Sequence, residues 1–161
     1  MNAADPDVPL LRHTVATLAY RAGKALRGAP EGFAGFRAGE GGRTPVQILA
    51  HMGDLFDWAL TMADGEAVWK DATPLPWDGE IARFFAALQR FDARLQAGRP
   101  LANPATKVFA GPVADALTHT GQIAMLRRMA GSKIRGESYF RADIVAGRVG
   151  FEQDAPRREF D

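Results

Sequence analysis

Four stretches of this chain repeat apolar residues at about 100° per residue, and glycine- or proline-rich segments separate them. The first places Val8, Leu11, Val15, Leu18, Ala22 and Leu26 on one stripe, with Asp7 as an N-cap and Gly28 as a stop. The second opens on Thr44-Pro45-Val46-Gln47, an N-cap threonine, a first-turn proline and a glutamine at N3, which together predict a capping box. Ile48, Met52, Leu55, Phe56, Ala59 and Met62 then form its face. In the third, capped by Asp78 or a neighbour, Ile81, Phe84, Phe85, Leu88 and Leu95 recur, and Asp92 on that stripe is expected to cap or to face water rather than to be buried near the helix end. The fourth begins at Pro112 and is apolar nearly all round up to Gly131, which predicts a central, buried helix. Phe33 and Phe36 give the first connection something to bury, so it reads as packed chain and not as a domain linker. The expected fold is all-α, a four-helix bundle with long first and third connections. Residues 1–131 form the bundle. Residues 132–161 are expected as a C-terminal extension packing on the same domain, with a short helix between Ser138 and Ala146.

At 161 residues, 47% of them hydrophobic, the chain can bury the core of one domain. Twenty basic residues stand against 19 acidic ones. That balance leaves no electrostatic footprint for nucleic acid or an anionic membrane. Cysteine is absent, which excludes disulfides, thiolate ligands and a thiol nucleophile from the protein itself. The opening Met-Asn-Ala-Ala-Asp-Pro-Asp has no basic or apolar leader pattern, and no apolar run nears the ~20 residues that span a bilayer. A cytoplasmic protein is the expectation.

Against the apolar fourth helix one polar line appears: Asp115, His119 and Gln122, at i, i+4 and i+7. Positions four apart share a helix face, so the carboxylate and the imidazole project side by side. His51 lies at the edge of the second helix's buried face. Where those helices pack, two imidazoles and a carboxylate can share one divalent ion and leave positions open. Blander readings fit the same residues: a solvated face for the polar line, and for His51 a core imidazole satisfied by one hydrogen bond. His13 falls outside its stripe and reads as a surface histidine.

Thr44-Pro-Val-Gln-Ile-Leu-Ala-His51-Met-Gly-Asp-Leu resembles the second-helix signature of the DinB-like (DinB/YfiT) family. Leu117-Thr-His119-Thr-Gly-Gln122-Ile-Ala-Met-Leu-Arg127-Arg-Met-Ala-Gly131 resembles the fourth-helix signature of that family. The resemblance covers about residues 8–131 and implies a four-helix bundle, a homodimer, and a divalent metal held by three side chains at one end. His51 and His119 match the first and last ligands. Asp115 stands where the family usually has histidine, although related thiol-dependent isomerases carry a carboxylate there.

The expected metal ligands are therefore His51, Asp115 and His119. Zinc best suits imidazole nitrogen at ~2.0–2.1 Å and carboxylate oxygen at ~2.0–2.2 Å, and nickel or iron can use the same donors. Gln122 is the expected cofactor-side residue next to the ligands. The resemblance implies a small-molecule substrate, with a low-molecular-weight thiol as partner, and a thiol-dependent transferase, isomerase or hydrolase. A metal-binding stress or interaction module without turnover is the alternative. Beyond the ligands the sequence offers no convincing general base: Asp54 projects off the His51 face, and Tyr139 and Arg135 reach the site only if the tail folds over it.

Overall fold

The computed structural model describes residues 5–153 and 157–160. Its long helices are α1 (Val8–Leu26), α2 (Pro45–Asp64) and α3 (Trp77–Gln96). A single turn, α4 (Ala105–Val108), then runs through a π-helical turn (Phe109–Val113) into α5 (Ala114–Met129). The fold is all-α, apart from a two-residue pairing in the tail between β1 (Gly136–Glu137) and β2 (Glu159–Phe160).

The four long helices form a ring in which α2 packs on α3, α3 on α1, α1 on α5 and α5 on α2. The pairs joined by the first and third connections, α1 with α2 and α3 with α5, are thus diagonal. Those connections are long because each must cross an end of the bundle. The apolar stripes meet in one core, with Val15, Leu18, Leu49, Met52, Phe56, Phe84, Leu88, Phe91 and Ile123 almost fully buried. In the first connection Phe33 is buried and meets the Trp77 ring edge-on at 5.7 Å.

The capping box at Thr44 is present, with Gln47 N–H donating to Thr44 Oγ1 at 3.4 Å and Thr44 N–H to Gln47 Oε1 at 2.9 Å. Elsewhere several sequence expectations are corrected. The third helix starts at Trp77, after Pro76, without a side-chain cap. Asp92 is buried, not water-facing, because Arg12 of α1 reaches across and pairs with both of its oxygens at 2.9 and 3.0 Å. The fourth helical stretch begins seven residues before Pro112, at Ala105. Proline inside a regular helix lacks an N–H and collides with the carbonyl four residues back; the wider π turn accommodates it. That stretch is also less buried than expected, with Met125 and Met129 more than half exposed.

No helix forms between Ser138 and Ala146, where turns stand instead. The tail is held by polar contacts that a helical pattern cannot announce. Tyr20 donates to Glu137, Lys24 Nζ lies 2.9 Å from Glu137 and 2.6 Å from Glu159, and Arg27 donates to the Phe151 carbonyl at 2.6 Å. The Phe151 ring meets Phe85 at 5.3 Å.

Candidate metal centre

His51 sits two turns into α2, and Asp115 and His119 lie one turn apart at the start of α5. The packing of α2 on α5 brings the three together. His51 Nε2 is 3.2 Å from Asp115 Oδ2, and His119 Nε2 is 3.5 Å from Asp115 Oδ1. The two imidazoles meet edge-on, with ring centres 4.9 Å apart. One donor atom from each residue can be chosen so that all lie within 4.8 Å of one another, and among the described residues no other such group of three occurs. Two nitrogens on ~2.0–2.1 Å arms at tetrahedral angles stand about 3.3–3.4 Å apart. The spacings of 3.2 Å to one carboxylate oxygen and 3.5 Å to the other lie close to that value, and the donor set suits a divalent ion in its chemistry.

The centre is sheltered without being closed. The His119 side chain is 12% exposed and that of His51 20%, while Asp115 is 45% exposed and keeps one side accessible. His119 Nδ1 donates to Gln122 Oε1 at 2.7 Å, which fixes the ring and leaves Nε2 as a lone-pair donor facing Asp115. Gln122 thus acts on an imidazole, one turn further along α5.

The α2–α3 connection supplies a wall that the sequence did not reveal. Trp69 lies against His51 with ring centres 5.4 Å apart, and Trp58 meets Trp69 edge-on at 5.7 Å. The connection is pinned to the helices beneath it. Val68 N–H donates to Thr61 Oγ1 at 2.9 Å, Ala72 N–H to Asp54 at 3.2 Å, and Leu75 N–H to Glu80 at 2.8 Å. A tryptophan in a turn-rich connection is the one signal that could have drawn notice to Trp69, and it does not say which surface the ring covers.

Asp54 does turn away from His51. It pairs with Arg83, whose guanidinium also donates to the Ala50 carbonyl at 3.0 Å and to Glu80 at 3.2 Å. Burial alone would lower the Arg83 guanidinium, but the hydrogen bond and charge of Asp54, followed by Glu80, hold it above its ordinary value. Gly53 makes this approach feasible, since a Cβ there would stand 2.6 Å from Arg83 Nη1. The two tail residues proposed to fold over the site do not. Tyr139 packs on Tyr20 at 6.2 Å with Arg21 over its ring at 4.3 Å, and Arg135 pairs with Glu159 at 3.3 Å.

Compared with family models, curated proteins and solved structures, the chain gives no match.

Proposed function

We propose that this protein binds a divalent metal through His51, Asp115 and His119 and acts as a metal-dependent enzyme of the DinB-like (DinB/YfiT) type, in the thiol-dependent transferase, isomerase or hydrolase class. The observation that carries the reading is the convergence of two imidazole nitrogens and a carboxylate from two helices within 4.8 Å. Zinc fits this donor set, and nickel or iron is open to the same ligands. When bound, such an ion supplies a Lewis acid with an open face, able to polarise a carbonyl or to acidify a water or a thiol. A small thiol as co-substrate would supply the sulfur that a chain without cysteine lacks. The chain's own part is to hold the ligands. Gln122 orients His119, Trp69 covers His51, and the half-exposed Asp115 leaves room for a small substrate. Homodimer formation comes with the resemblance as part of the proposal, and light scattering checks it; a cytoplasmic address is proposed from the sequence pattern.

Protein purified without an affinity tag is expected to carry close to one equivalent of metal by elemental analysis, and His51→Ala is expected to lose it. Absence of metal from the parent protein, even after incubation with zinc, nickel and ferrous iron, overturns the proposal. A second reading, a metal-binding stress or interaction module without turnover, draws on one feature. Asp54, the carboxylate nearest His51 in sequence, is committed to Arg83 and Ala72 and supplies no base. The cobalt-substituted protein separates the two: a visible spectrum that shifts on adding small thiols supports the enzyme, and one indifferent to them supports the module.

A further inference from the structure

From His119, one of the three candidate ligands, a cleft of about 530 Å³ runs toward the start of α2. His119 and Gln122 line its inner end. Ile48 and, on α5, Met125 and Leu126 form an apolar middle, and the first connection closes it with Glu40 and Arg43. The cleft's direction follows from the numbering: positions decrease along α2 from His51 to Ile48 and increase along α5 from His119 to Leu126. At ~1.5 Å per residue, His51 stands about 9 Å from the first residue of α2. Arg43 lies just beyond that residue.

Glu40 and Arg43 differ from most charged residues near the bundle's core. Asp92, Glu80, Arg83, Arg94 and Arg127 are all hydrogen-bonded or ion-paired within the protein. No hydrogen bond or ion pair engages the Glu40 or Arg43 side chain among the described residues, and both are exposed at the cleft. The connection that carries them is tied down beside Arg43, where Arg37 Nη1 donates to the Gly42 carbonyl at 3.0 Å. One free cation and one free anion, three residues apart, thus face a cleft whose middle is apolar and whose far end is lined by His119 and Gln122.

We infer that this cleft binds a small zwitterion of the α-amino-acid type: its carboxylate meets Arg43, its ammonium meets Glu40, and its side chain runs over Ile48, Met125 and Leu126 toward His119. The inference rests on the proposed function for the role of the inner end and names the ligand class that the same site would take. A purely anionic ligand would leave Glu40 opposed to it, a purely cationic one would leave Arg43 so, and an uncharged one would use neither.

The test uses the whole protein labelled with 13C-methyl methionine, in which the Met125 signal, assigned through Met125→Leu, reports the middle of the cleft. L-norleucine, its methyl ester and hexanoate share one apolar body and differ only in their charged ends. Titrated into metal-free protein, norleucine is expected to shift the Met125 signal with an affinity about five-fold above that of either relative, the scale of one exposed ion pair. Arg43→Gln should erase the advantage over the ester, and Glu40→Gln the advantage over hexanoate. No movement of the Met125 signal at about 50 mM norleucine, equal affinity for all three probes, or variants that discriminate like the parent would overturn the inference. Metal uptake is measured separately, on portions of the same preparation incubated with zinc, nickel or ferrous iron in place of the amino acid. Protein that selects norleucine but holds no metal overturns only the proposed function, and protein that holds metal without selecting overturns only the inference.

Discussion

At the scale of single residues, the centre depends on which nitrogen of each imidazole faces Asp115. For His119 that choice is made by Gln122, whose side-chain oxygen accepts a hydrogen bond from Nδ1–H. A leucine at position 122 keeps the bulk and removes the acceptor, so the ring loses its fixed tautomer. Gln122→Leu is expected to weaken zinc binding by about 10–100-fold while leaving the fold intact, as read by competition with a chromophoric chelator. An unchanged affinity would reduce Gln122 to a surface residue. The juxtaposition of the three candidate ligands was legible because spacing along one helix fixes Asp115 against His119, and because His51 interrupts an apolar face. Trp69 was not legible, since its contact with His51 depends on how a connection without regular structure folds back. Asp92 was misread for a related reason: the arginine that neutralises it lies eighty residues away in sequence.

At the scale of helices, Arg127 shows how a motif residue can serve the scaffold and not the chemistry. From α5 it donates to the carbonyls of Ala25 and Arg27 at 3.0 Å and of Gly28 at 3.1 Å, where α1 ends and its last carbonyls lack helical partners. Its remaining bonds go to Ser132, so it also fixes the turn after α5. Burial pulls its guanidinium below the ordinary arginine value, yet these acceptors keep the charge satisfied. Lysine offers a point charge in place of a planar fork and cannot reach them all. Arg127→Lys is expected to cost about 2–3 kcal/mol in urea unfolding, with the metal-binding stoichiometry retained. A loss under about 0.5 kcal/mol would contradict this account. The four long helices were readable from period and caps. The π turn was not, because a proline on a helical pattern reads as a start, and only the packing of residues 105–108 against the bundle carries the helix back past it.

At the scale of the molecule, the tail is fastened to α1 by charge, and that fastening has a pH signature. Burial alone would raise the Glu137 carboxyl, but the hydrogen bonds of Tyr20 and Lys24, with the Lys24 charge and the Arg158 N–H, bring it below its ordinary value. A lowered folded value means that the unfolded chain takes up the proton first. The contribution is therefore complete above the ordinary carboxylate range and disappears as pH falls through the lower folded value. Tyr20 moves the other way: burial, then the Glu137 hydrogen bond, pushes its hydroxyl up to about 12. Its contribution is complete below the ordinary tyrosine value of 10.0 and is lost as pH rises toward 12. Thermal unfolding is expected to show a plateau between these limits. Glu137→Gln should flatten part of the acid limb and Tyr20→Phe part of the alkaline one; profiles parallel to the parent's would show that the tail is fastened otherwise. Little of this was legible beforehand, because the last thirty residues carry no period and their partners lie on the first helix.

The indole of Trp69 lies against a ligand ring and that of Trp58 beside it, while Trp77 packs far along the chain on Phe33. The chain therefore carries its own lamp at the candidate metal site: a quenching ion such as copper or cobalt bound there would dim the two indoles beside His51, so occupancy can be watched in unlabelled protein.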